Sequence, residues 1–189
     1  RRLPWRETRD PYKIWISEVM LQQTTVSAVV PFYHKWMNEF PSVGDVARAP
    51  LEKVLKAWQG LGYYARARNI HAAAKMIVER HAGRVPRYPD QLRALPGFGP
   101  YTTGAVLSIA YDLRSVIIDA NVRRVFMRVL AMKGQAVPAR DPAIRTYLEK
   151  IMPDSGPGEF NQALMELGAL ICRSRSPLCI QCPVKGSCK

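Results

Sequence analysis

The chain has 189 residues, of which 28 are Lys or Arg and 15 are Asp or Glu, for a formal charge of +13. Hydrophobic residues make up 48%, enough to bury a core, and this excludes a disordered basic tail. Apolar stretches such as Ala105–Tyr111 fall far short of the roughly 20 residues a membrane span needs, and the N-terminus lacks a signal-peptide pattern. The length suits one domain or two small ones. The basic surplus favours a polyanionic partner, nucleic acid before anionic membrane, although solubility alone also uses such charge. The first residues are Arg1-Arg2 rather than Met, as in a segment of a longer protein.

Helical periodicity dominates in chain order. Asp10-Pro11 reads as an N-cap followed by proline at the first helical position, opening a helix to about Leu21. Further helices are expected over Thr24–Glu39, Val43–Arg48, Leu51–Trp58 and Ala65–Ala82, the last with Ile70, Ala73, Ala74 and Ile77 on one face. Pro89–Ala94, Tyr101–Tyr111, Val122–Met132, Pro142–Ile151 and Glu159–Ile171 complete the set. Val116–Ile118 is apolar but too short for a convincing strand. The expected class is all-α.

All four cysteines fall in one spacing, C-x6-C-x2-C-x5-C, at Cys172, Cys179, Cys182 and Cys188. Four thiolates this close can surround one metal centre, and the soft ligands suit an iron–sulfur cluster or Zn²⁺. A structural zinc site more often shows two short pairs, whereas two disulfides would need an oxidising compartment. A metal centre here would staple a loop rich in Pro, Arg and Lys.

Leu95-Pro96-Gly97-Phe98-Gly99-Pro100-Tyr101-Thr102 precedes an apolar helical run. Gly97 and Gly99 permit a tight hairpin whose backbone N–H groups meet a phosphate at the next helix, or a plain helix–helix turn. The +13 charge favours the phosphate reading, a helix-hairpin-helix.

Two carboxylates stand out. At about 100° per residue, Glu18 falls between Ile14 and Trp15 on an apolar helix, where desolvation raises its pKa and suits a general acid. A structural Glu paired with an Arg is the plainer alternative. Asp119 follows Val116-Ile117-Ile118 and can N-cap the next helix, where the dipole keeps it ionised. Carboxylates with pKa values pushed apart form the pair used in glycosidic cleavage.

The segments Trp15–Thr24 and Gly60–Asn69, the hairpin, Asp119-Ala120-Asn121-Val122 and the four cysteines occur in order. Over essentially the whole chain they resemble the A/G-specific adenine DNA glycosylase (MutY) family within the endonuclease III-like helix-hairpin-helix group. The resemblance implies two helical lobes flanking a DNA-binding cleft. One would be a six-helix barrel over residues 4–114, with the hairpin at about 92–110. The other would span 115–189 with residues 1–3 and hold a [4Fe–4S] cluster on the four cysteines. It further implies that Glu18 protonates an extruded adenine opposite 8-oxoguanine or guanine. Asp119 would stabilise the sugar cation, supported by Tyr101 and Asn121. Gln23 and Tyr63 would enter the duplex, Gly97 and Gly99 would hold backbone phosphate with a monovalent cation nearby, and Arg6 and Glu166 would contact the base. Arg66, Arg68, Arg123, Arg124, Arg173, Arg175 and Lys185 are expected phosphate contacts. Tyr101 stands where strand-cleaving relatives carry Lys, so a monofunctional enzyme is expected; a monomeric, intracellular, DNA-associated protein is expected as well. Ala120 replaces the Gly of many members, as in G·T mismatch thymine glycosylases of the group, which are the alternative together with a non-catalytic DNA-binding module.

Overall fold

The computed structural model describes residues 1–134 and 136–188; Gln135 and Lys189, the latter the expected end of the second lobe, lie outside the described residues. Ten α-helices and no strand occur among the described residues, and no helix is long and apolar enough to cross a membrane. The chain divides into two compact units, residues 1–111 and residues 112 onward.

The first unit contains α1 (Pro11–Met20), α2 (Val26–Glu39), α3 (Val43–Arg48), α4 (Leu51–Trp58), α5 (Ala65–His81), α6 (Pro89–Arg93) and α7 (Pro100–Ala105). Local chemistry sets the boundaries. Asp10 caps α1 by accepting the Tyr12 N–H at 2.9 Å, and Ser42 with Asp45 forms a reciprocal capping box on α3. α2 begins at Val26 rather than Thr24 because Thr25 is extended, at φ −73° and ψ 150°, and takes the N-cap position. Residues 1–3 group with this unit rather than with the second, and Leu3 is buried.

The core of this unit is aromatic. Trp36 lies edge-on to Trp58 at 5.6 Å and against Phe40 at 4.9 Å. The buried Tyr12 hydroxyl donates to the Phe40 carbonyl at 2.7 Å and accepts the Trp36 indole N–H at 2.9 Å. Burial holds the Tyr12 phenol above the usual tyrosine range. Tyr12→Phe would leave a carbonyl and an indole N–H buried without partners. The expected cost is about 1–3 kcal/mol, read as a lower urea midpoint with unchanged slope.

The second unit contains α8 (Ala120–Val129), α9 (Asp141–Ile151) and α10 (Pro157–Glu166). Val122, Val125, Phe126, Ile144 and Leu148 pack at its centre. The apolar run before α8 forms no strand among the described residues. Instead the buried Asn161 takes the place of a partner strand, accepting the Ile117 N–H at 3.4 Å and donating to the Ser115 carbonyl at 2.8 Å.

Two expected helices change winding partway. α7 passes into a π-helical turn over Val106–Ala110, and α10 does so over Leu167–Ile171. Such wide turns shift every later side chain around the axis.

Candidate functional site

Within the first unit, α1 is buried along nearly its whole length, so Glu18 is only 5% exposed. A buried carboxyl group needs hydrogen-bonding partners. Tyr101, on the first turn of α7, donates its hydroxyl to Glu18 Oε2 at 2.7 Å. The hairpin sets this contact. Gly97 turns at φ 79°, and the next residue, Phe98, packs on Trp15 at 5.1 Å, docking the start of α7 on the helix that carries Glu18. Tyr101, expected beside Asp119, therefore has a direct partner in Glu18. Gly99, exposed, stands at the N-terminus of α7.

The turns before α2 and α5 form a second feature of this unit. Gln23 and Tyr63 are both exposed and both left-handed, and with Gln22, Tyr64 and Arg68 they line an open concavity of about 450 Å³. Arg68 is exposed, as a phosphate contact requires. Arg66 is a correction. Its side chain turns inward, donating to the carbonyls of Val19, Met20, Gln22, Leu61 and Gly62 at 2.6–3.2 Å. Burial lowers its pKa from the usual arginine value, with Tyr63 acting in the opposite direction. Arg6 is half-buried on a short 3-10 turn.

In the second unit Asp119 is the N-cap of α8. Its Oδ1 accepts the Val122 N–H at 2.7 Å and its Oδ2 accepts the Asn121 side-chain N–H at 2.9 Å. Both carboxylate oxygens are thus engaged by donors at the start of α8. Asn121 is fixed in turn by Arg124, which donates to Asn121 Oδ1 at 2.9 Å, the Gly168 carbonyl at 2.7 Å and the Cys172 carbonyl at 2.9 Å. Arg124 is thus an internal tie rather than a phosphate contact. Arg123 is corrected likewise. It meets Asp141 through two hydrogen bonds of 2.6 and 2.8 Å, and that carboxylate, aided more weakly by Asp119, raises its pKa. Both corrections share one cause, since α8 packs on α9 and on the π-turn and faces their acceptors.

Gly168, which sequence reasoning passed over, lies in that π-turn. A Cβ there would stand 2.6 Å from Asn121 Cβ and 3.0 Å from its backbone. Glu166 is half-buried at the end of α10.

The four cysteines are free thiols lining one cavity of about 60 Å³. No three His, Cys, Asp or Glu among the described residues come together as a single-ion site. Arg128 reaches the cavity edge, donating to Cys172 Sγ at 3.2 Å and to the Arg173 carbonyl at 2.8 Å. Arg173, Arg175 and Lys185 around it are exposed.

The comparisons with known proteins agree with this layout. The adenine DNA glycosylase of Buchnera aphidicola subsp. Baizongia pistaciae is 42% identical over 187 residues, covering 99% of this chain and 53% of the relative. That of Homo sapiens is 41% identical over 199 residues, covering 100% of this chain and 36% of the relative. The chain spans about half the length, or less, of these curated relatives. Among solved structures, a thermostable thymine-DNA glycosylase superposes with TM-score 0.91 at 32% identity, covering 100% of this chain and 88% of its own. A non-covalent endonuclease III–DNA complex gives TM-score 0.82 at 26% identity, covering 96% and 84%. A model of the "HhH-GPD superfamily base excision DNA repair protein" family matches residues 16–153. The chain belongs to the HhH-GPD superfamily of base excision DNA repair proteins.

Proposed function

We propose that this chain hydrolyses the N-glycosidic bond of adenine opposite 8-oxoguanine or guanine in double-stranded DNA and leaves the strand intact. The observation that carries the reading is the buried Glu18, held by the Tyr101 hydroxyl at 2.7 Å, in a chain 42% identical to an adenine DNA glycosylase. A monomer suffices for the chemistry.

The adenine must first leave the stack, and Gln23 and Tyr63 ease that step from the duplex side. Glu18 gives its proton to N7 of the extruded base. The bond from N9 to C1′ then breaks, its electron pair stays on adenine, and the base leaves neutral. Asp119, the N-cap of α8, stabilises the positive sugar until water adds at C1′ and releases a proton. Tyr101 is a phenol where a strand-cleaving relative needs an amine, so no Schiff base forms at that position. Gly97 and Gly99 present backbone to a phosphate, where a monovalent cation can sit, while Arg68, Arg173, Arg175 and Lys185 add exposed positive charge. Arg6 and Glu166 are assigned to contacts with the adenine.

Cys172, Cys179, Cys182 and Cys188 would hold a [4Fe–4S] cluster. The fit rests on the donor set, four free cysteine thiols lining one cavity, soft ligands of the kind an iron–sulfur centre takes. A cluster bound by these four residues would cross-link the basic loop.

The likeness to a thymine-DNA glycosylase and Ala120 favour a second reading, excision of thymine or uracil opposite guanine. One assay across A·8-oxoG, A·G, G·T and G·U duplexes separates the two. Release of free adenine from the first pair of substrates is expected. Release of thymine or uracil with adenine untouched would overturn the proposal, and salt-sensitive binding without any release would leave a DNA-binding module.

Gly168→Ala tests the support beneath Asp119. The added methyl group must displace Asn121, and a shift of the Asp119 turn by a fraction of an ångström should lower excision on the order of 10²-fold. Single-turnover rates on A·8-oxoG, alongside unchanged binding of the duplex, check it.

A further inference from the structure

The turn between α1 and α2 and the turn between α4 and α5 each pass through one non-glycine residue in the left-handed region, Gln23 at φ 59° and Tyr63 at φ 48°. Such a conformation is disfavoured for an L-residue and persists only where surroundings impose it. One side chain imposes both. Arg66 Nη1 donates to the carbonyls of Val19, Met20 and Gln22, and its Nη2 donates to those of Leu61 and Gly62. Trp58 and Tyr63 lie against the guanidinium at 5.2 and 5.6 Å, and the Trp58 indole adds a second hydrogen bond to Gly62 O at 3.0 Å. The backbone of each turn is therefore fastened to the same planar group, while the Gln23 and Tyr63 side chains project exposed.

We infer that Arg66 is a positioning residue for base extrusion: it sets the spacing of the two turns so that Gln23 and Tyr63 enter the duplex as one unit. The inference rests on the proposed adenine glycosylase reading and deepens it. A lysine cannot substitute, because a single ammonium cannot span two sets of carbonyls as the guanidinium fork does.

The test compares single-turnover adenine release from an A·8-oxoG duplex with release from a duplex whose adenine faces an abasic site. The second substrate has no base pair to break. Arg66→Lys is expected to slow release from the first on the order of 10²-fold and to leave the second nearly unchanged. Gly62→Ala provides a second route, because its Cβ meets nothing within 4 Å yet strains a residue at φ +68°. It should show the same selective loss, and it carries the test if thermal unfolding shows that Arg66→Lys does not fold. Equal losses on both substrates, or no loss on either, would overturn the inference. If the wild-type chain releases adenine from neither duplex, the glycosylase reading itself fails, and this inference with it.

Discussion

Glu18→Gln should reduce adenine release from an A·8-oxoG duplex by about 10²–10⁴-fold while leaving the fold and duplex binding intact. The substitution preserves size and still offers an amide oxygen to the Tyr101 hydroxyl, which donates to Glu18 at 2.7 Å. What it removes is the proton. Because α1 packs on nearly all sides, the carboxyl group is buried, and burial disfavours a charged carboxylate. Excision is therefore expected to depend on the acid that Glu18 supplies and Glu18→Gln cannot. Tyr101→Phe should have a smaller effect, since it keeps the acid and removes only its orienting donor. Single-turnover rates, with thermal unfolding of each variant, check both. A Glu18→Gln variant that excises at the wild-type rate would remove Glu18 from the chemistry.

Much of the fold was legible because its signals are local. α3 and α4 match their expected bounds, one opened by the Ser42–Asp45 capping box and the other by Pro50. Asp119 was legible both as a cap and as a candidate carboxylate, and the structure gives it the cap geometry. The π-turns were not legible. A wide turn over Leu167–Ile171 is a change in which carbonyl each N–H meets, and no side-chain pattern in the sequence announces it. Gly168 was overlooked for the same reason, since its role depends on the approach of Asn121 from another helix. The arginines are the most instructive misreading. Arg66, Arg123 and Arg124 count toward the +13 surplus that points to nucleic acid, yet all three turn to internal acceptors. For Arg66 and for most contacts of Arg124 these acceptors are backbone carbonyls, which every residue carries and no side-chain pattern announces. Charge counting pointed to the class of partner that the family has, but it could not tell these three internal arginines from exposed ones such as Arg68.

Asp119→Asn should cost as much activity as loss of the acid, on the order of 10³-fold, for a different reason. Asparagine is as good an N-cap as aspartate, so the hydrogen bond from Val122 N–H survives and α8 keeps its start. The other oxygen is the difficulty. Asp119 Oδ2 accepts the Asn121 side-chain N–H at 2.9 Å, and an amide nitrogen placed there would face another donor. Asn121 cannot turn over at no cost, because its own oxygen accepts from Arg124 at 2.9 Å and Arg124 is held by the carbonyls of Gly168 and Cys172. The variant thus loses the negative charge proposed to stabilise the sugar cation and also places two donors face to face. Stability should fall by about 1 kcal/mol, within the range of one lost buried hydrogen bond. Asp119→Ser separates the two effects. It retains a capping oxygen, removes the charge and places no donor opposite Asn121 unless its hydroxyl turns that way. If the charge carries the chemistry, Asp119→Ser should be as inactive as Asp119→Asn while unfolding closer to the wild-type temperature. An active Asp119→Ser would mean that only the cap is needed, and the second carboxylate would drop out of the mechanism.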